Sequence, residues 1–166
     1  MADIRPAREH YASRMRHLTR QFAIGALRRG GAIAQFLGGA EVDGEPAIRW
    51  VAISPEGGRY RISLHTVQDP DDDRVGDLPN LISLDPVDED HVGEDRELGL
   101  SEDEEDATAL AEQLTDARPD RWVNHEVVDD EYVDHARSRQ RPARTASPIE
   151  SRSTANPSPT TRSGSH

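Results

Sequence analysis

Apolar residues in the first thirty positions recur at helical spacing. Tyr11, Met15, Leu18 and Phe22 lie 4, 3 and 4 residues apart, with Ala26 next. This predicts an amphipathic helix over 7–29, opened by Pro6 and stopped by Gly30-Gly31. The period then shortens. Ala47 to Ile53 and Arg59 to Val67 read as the two strands of a β-hairpin, with Ser54 to Gly58 as its loop. Placing Ile53 opposite Arg59 pairs Ala52 with Tyr60, Trp50 with Ile62 and Ile48 with Leu64 on one apolar face. Val51–Arg61 and Arg49–Ser63 then fall on the other face. Ile33 to Leu37 and Leu81 to Leu84 are expected to be further strands, with turns at Gly38-Gly39 and Asp43-Gly44.

The helical period returns at Ala107 to Ala117, where Ala107, Leu110, Ala111 and Leu114 form one stripe. The acids at 102–106 suit the positive end of that helix, and Pro119 lies beyond its other end. Asn124 is a good N-cap for a short last helix that buries Val128 and Tyr132, with Trp122 plugging the core at its start. The order of elements predicts an α+β fold. A small antiparallel sheet would carry an N-terminal amphipathic helix and two C-terminal helices, all packed on one face.

Composition sets the limits of this core. Leu, Ile, Val and Phe number 31 of 166 residues, and 25 of these lie in 32–136. That overall share, about 19%, is just under the level at which high net charge argues for disorder. The chain therefore divides into a basic helix (1–31), a small acidic α+β domain (32–137) and a disordered tail rich in Ser, Pro and Arg (138–166). The net charge is -12, and all 20 basic residues are arginine. Acids concentrate in 69–106, which reads as an acidic loop opposed only by Arg74 and Arg96, whereas both ends of the chain are basic. Cysteine is absent, which excludes disulfides and thiolate chemistry. No apolar run reaches the length of a membrane span and no signal peptide is visible, so a cytoplasmic protein without a membrane partner is expected.

Few motifs carry chemistry. Asp69, Asp71 and Asp73 match the first ligand positions of a calcium loop, but Arg74 stands where glycine is required and Asn80 where glutamate is required. The seven histidines form no short-spaced metal pair, and there is no nucleophile elbow, P-loop or dinucleotide fingerprint. No metal, cofactor or catalytic residue is assigned, and a non-enzymatic protein is expected. Arg49, Arg61 and His65, gathered with Ser63 on the polar face of the hairpin, form a candidate small-ligand or anion site. Arg14, Arg16, Arg20, Arg28 and Arg29 form a candidate phosphate-binding face on the first helix, against which the overall negative field acts.

The stretch Arg118-Pro-Asp-Arg-Trp-Val-Asn-His-Glu-Val-Val-Asp-Asp-Glu-Tyr132 resembles the C-terminal part of small uncharacterised actinobacterial proteins, in which an Asp-Arg-Trp-Val-Asn stretch precedes an Asp-Glu-Tyr stretch. Ile48-Arg-Trp-Val-Ala-Ile53 is compatible with the same family, and the resemblance covers roughly residues 32–137. It implies no activity, so it carries no functional residues with it. The leading expectation is an intracellular interaction or accessory protein that presents its acidic region or a sheet surface to a protein partner. The alternatives are a nucleic-acid-associated regulator using the arginines of the first helix, and a small-ligand-binding domain.

Overall fold

The computed structural model describes residues 16–85 and 95–141. In chain order these form α1 (Arg20–Arg28), β1 (Ile33–Val42), β2 (Glu45–Glu56), β3 (Arg59–Gln68), a 3-10 turn (Leu78–Asn80), β4 (Arg96–Ser101), α2 (Glu104–Leu114), β5 (Val123–Asn124), a second 3-10 turn (His125–Val127) and α3 (Val128–Gln140). The five strands make one sheet in the order β4-β3-β2-β1-β5, and every pairing is antiparallel. The fold is α+β, as expected, with one helix before the sheet and two after its main strands.

Two tight turns set the register. Gly57 and Gly58 have φ of 57° and 79°, and Asp43 and Gly44 have φ of 51° and 82°. Two successive positive φ values give the turn whose twist matches paired strands. β2 therefore runs on through Pro55 to Glu56, opposite Arg59. The expected five-residue loop does not form. The hairpin register moves by three residues, so Ile53 faces Ile62, Trp50 faces His65 and Arg49 faces Thr66. An odd shift exchanges the faces on which the two strands' residues meet.

Both faces of the sheet are consequently buried. Val51, Ile53 and Ile62 pack with Ala23, Leu27, Ala107, Ala111 and Trp122 under α1 and α2. Ile48, Trp50, Ala52 and Val67 pack with Leu78, Val128, Tyr132 and Ala136 under α3. The expectation that all helices share one face is corrected. The hairpin carries apolar residues at both parities of β2, and each set needs a cover.

Other boundaries move as well. The expected helix over 7–29 is interrupted within its described part. Thr19 caps α1 by accepting from the Phe22 N–H, and the Leu18 N–H bonds to the Trp122 carbonyl at 2.7 Å. From that start the buried stripe is Ala23, Ile24, Ala26 and Leu27, and Phe22 turns outward, 65% exposed. Leu18 and α1 pack into the same core as the sheet, so the charge boundary at residue 31 is not a packing boundary. Leu81 to Leu84 contributes a single bridge, Ser83 to Val67, instead of a strand. The expected acidic loop contains β4, paired with β3 across a bulge.

α2 begins at Glu104 because the Asp103 carboxylate accepts from the N–H groups of Glu105 and Asp106. It ends at Leu114, which is half exposed. Asn124 makes no side-chain cap, and pairs with Ile33 in the sheet instead. Trp122, Val128 and Tyr132 are buried as expected. α3 continues to Gln140, past the expected boundary at 137. Tyr11, Met15, Arg14 and the tail beyond residue 141 lie outside the described residues. No described helix is long and apolar enough to cross a membrane.

Candidate functional site

Sequence register builds a cavity at one end of the sheet. Arg49 on β2 faces Thr66 on β3, and Leu64 lies two residues before Thr66 and faces Arg96 on β4. These four side chains therefore share one face, the face that α1 and α2 cover further along. β1 reaches the same place through a bulge between Phe36 and Gly38, which brings Ala40 and Val42 alongside. Asp85, just after the Ser83 bridge, closes the far side. The cavity measures about 390 Å³. Among the described residues its lining comes from these strands, the Asp43 turn and Asp85.

Two lining residues each carry a buried polar atom with no hydrogen-bond partner among the described residues. These are the Nε of Arg49 and the Oδ2 of Asp85. Among the described residues the Arg49 guanidinium meets the Asp116 carboxylate at 3.7 Å, but Asp116 is 84% exposed and the pair is screened by water. Burial pushes the Asp85 carboxyl above its ordinary value; Arg96 pulls against that rise and Asp95 adds to it. A concave site with apolar walls and a few converging polar groups is the usual form of a small-ligand pocket.

The expected cluster of Arg49, Arg61 and His65 is split by the register. Arg61, Ser63 and His65 fall on the face opposite Arg49. There Arg61 grips Asp95 with two parallel hydrogen bonds of 2.7 and 2.8 Å and reaches Glu97 at 3.1 Å. The Arg61 fork holds the Asp95 carboxyl below its ordinary value despite burial. His65 stacks flat on Trp50, with ring centres 4.5 Å apart, and its Nε2 lies 3.3 Å from the Ser63 hydroxyl and 3.9 Å from Asp95. Serine and carboxylate thus approach the same ring nitrogen. A proton relay needs them on opposite nitrogens, so the trio does not form one.

The arginines of the first helix meet acids of the same chain. Arg16 contacts Glu131 at 3.2 Å and Asp134 at 3.0 Å, Arg20 contacts Glu112 at 3.4 Å, and Arg28 contacts Glu104 at 3.6 Å. Arg29 is the C-cap of α1. The Asp69–Asp73 stretch is likewise used internally. The Asp69 carboxylate accepts from the Tyr132 hydroxyl at 2.9 Å and the Asp71 N–H at 2.9 Å, and pairs with Arg139 at 2.8 Å. Arg139 also meets Asp71, and Arg137 meets Asp73. Arginines of α3 occupy the carboxylates that the calcium reading would need. Among the described residues no group of three or more His, Asp or Glu is arranged to hold a metal ion.

Sequence reasoning singled out Arg49 but missed Thr66, Asp85 and Arg96. Asp85 and Arg96 stand in an acid-rich stretch where composition marks no single residue. A correct hairpin register would have brought Thr66 beside Arg49. No family model, no curated protein and no solved structure matches this chain.

Proposed function

We propose that this domain binds a small polar ligand in the pocket around Arg49. The observation that carries the reading is the convergence of Arg49, Arg96 and Asp85 on one pocket with Leu64, Ala40 and Val42 as its apolar wall. The test is a titration of the ¹⁵N-labelled full chain with a panel of small amino, carboxylic and hydroxylic compounds. Saturable shifts at Leu64, Thr66 and Asp85 that disappear in Arg49→Ala are the expected result. A panel that moves none of these resonances removes the reading.

A protein-interaction role has its own support in the outer edge of β1. Among the described residues β5 covers only Ile33 and Ala34, which leaves the edge from Leu37 to Val42 as a template for an added strand. The chain has no cysteine, so Glu41→Cys creates a single thiol for a photo-crosslinker. A partner captured from Glu41→Cys and not from Asp134→Cys on α3 favours this edge, and equal capture from both sites rejects it. The phosphate-binding reading has less support, because Arg16, Arg20 and Arg28 already face Glu131, Asp134, Glu112 and Glu104.

A further inference from the structure

We infer that α3 is released from β1 by acid, with the His135 ring as the trigger. His135 packs against the stretch of β1 that β5 does not cover. Its ring meets Phe36 edge-on, with centres 5.1 Å apart, and its Nε2 approaches Gly39, where an added Cβ would lie 4.0 Å away. That nitrogen is buried and has no hydrogen-bond partner among the described residues. The neutral ring tolerates this, because one of its nitrogens carries no hydrogen. The imidazolium carries a hydrogen on both, so charging the ring puts a buried donor where no acceptor reaches it. The surrounding charges do not offset this. Arg139, one turn on in α3, opposes a second cation, whereas Asp69 favours one. Asp69 already accepts from Tyr132 and Asp71 and pairs with Arg139. Glu131 and Asp134 are engaged by Arg16, and Glu131 also by His17 and Arg121. Glu41, two residues after Gly39 and on the same face of β1, is exposed. Burial and Arg139 together lower His135 from its ordinary value of 6.5. Docking of α3 is therefore strongest above that value and weakens as pH falls through it. The helix is also lightly anchored. Val128, Tyr132 and Ala136 are the buried ones among its thirteen residues, and beyond Ala136 it is held by the ion pairs of Arg137 and Arg139. A modest cost at His135 is then enough to shift a local opening. The device lies on the face of the sheet opposite the Arg49 pocket and does not depend on it.

The experiment is amide hydrogen exchange of the ¹⁵N-labelled full chain, one pH unit above and one below 6.5, with rates corrected for the intrinsic effect of pH. Protection from Tyr132 to Arg139 is expected to fall several-fold, to a limit of about tenfold. The limit is set by an ordinary histidine in the released helix, in which the charged form outweighs the neutral one about tenfold at the lower pH. The same amides are expected to be less protected than those of Val51 to Ile53 at both values, which marks a local release. Equal protection in the two regions makes the opening global and overturns the proposal. His135→Phe keeps a ring beside Phe36 and cannot be charged, so its α3 protection is expected to be the same at both values. His135→Leu repeats the comparison if a larger ring is not accommodated. His17→Gln, which leaves His135 in place, is expected to keep the fall. A fall that persists in both His135 variants puts the trigger elsewhere and overturns the proposal. So does a parent protein whose α3 is equally protected at both values, whether its ring stays neutral or swings out alone to take the charge.

Discussion

Single residues in this protein are decided by what their polar atoms meet. Asp69 is deeply buried. Burial alone would raise its carboxyl, but the Asp71 N–H, the Tyr132 hydroxyl and Arg139 together hold it below its ordinary value. A carboxyl lowered in the folded state contributes stability that is present above its unfolded value and is lost as pH falls through its folded value. Asp69→Asn should therefore cost roughly 1–3 kcal/mol at pH 7, the scale of a buried hydrogen bond to a charge. Denaturant titrations should show the gap to the parent protein closing as pH falls through and below the ordinary carboxylate range. A gap that stays constant with pH would mean that the contacts do not favour the ionised form. Tyr132, the partner of Asp69, is affected in the opposite sense. Burial and the neighbouring carboxylate push its hydroxyl up to about 12, so the proton stays on the phenol that donates to Asp69.

At the scale of elements the turns matter more than the strands they join. Ala47 to Val67 was legible as a hairpin because its alternation and its glycines are local signals. Its register was not, because Pro55 reads as a breaker and Ser54 to Gly58 looks like an ordinary loop. The positive φ values at Gly57 and Gly58 show that two residues turn the chain. Gly58→Ala should cost about 1–2 kcal/mol, since an added Cβ meets no neighbouring atom and the penalty is purely one of backbone conformation. Equilibrium unfolding measures it, and a cost near zero would mean that the turn has relaxed to another form. α2 shows the reverse case. Asp103 and the acids after it were visible as a helix start, and the structure uses Asp103 as the cap.

At the scale of the molecule the basic and acidic segments that look separate in the chain come together. Arg16, Arg20 and Arg28 tie α1 and its approach to acids on α3 and α2, and Arg137 and Arg139 tie α3 to the Asp69–Asp73 stretch. These arginines are matched within the chain, and the whole carries a charge of -12. Labelled duplex DNA should accordingly show no anisotropy change with the full chain at 0.15 M ionic strength, about the physiological value. Salt-sensitive binding lost in Arg16→Ala/Arg20→Ala would show that those pairs open for phosphates. The sequence by itself determined the class of fold, the presence of most strands and helices, and the burial of Trp122, Val128 and Tyr132, because periodicity, caps and turn residues act over a few positions. Only the tertiary structure decided the hairpin register, the covering of both sheet faces, the separation of Arg49 from Arg61 and His65, and the meeting of Arg49 with Thr66, Asp85 and Arg96. Those depend on which residues face one another across the strands, set by the exact turn geometry and by packing from elements elsewhere in the chain. A shift of three positions at one turn reassigns every such partner while leaving the local pattern unchanged.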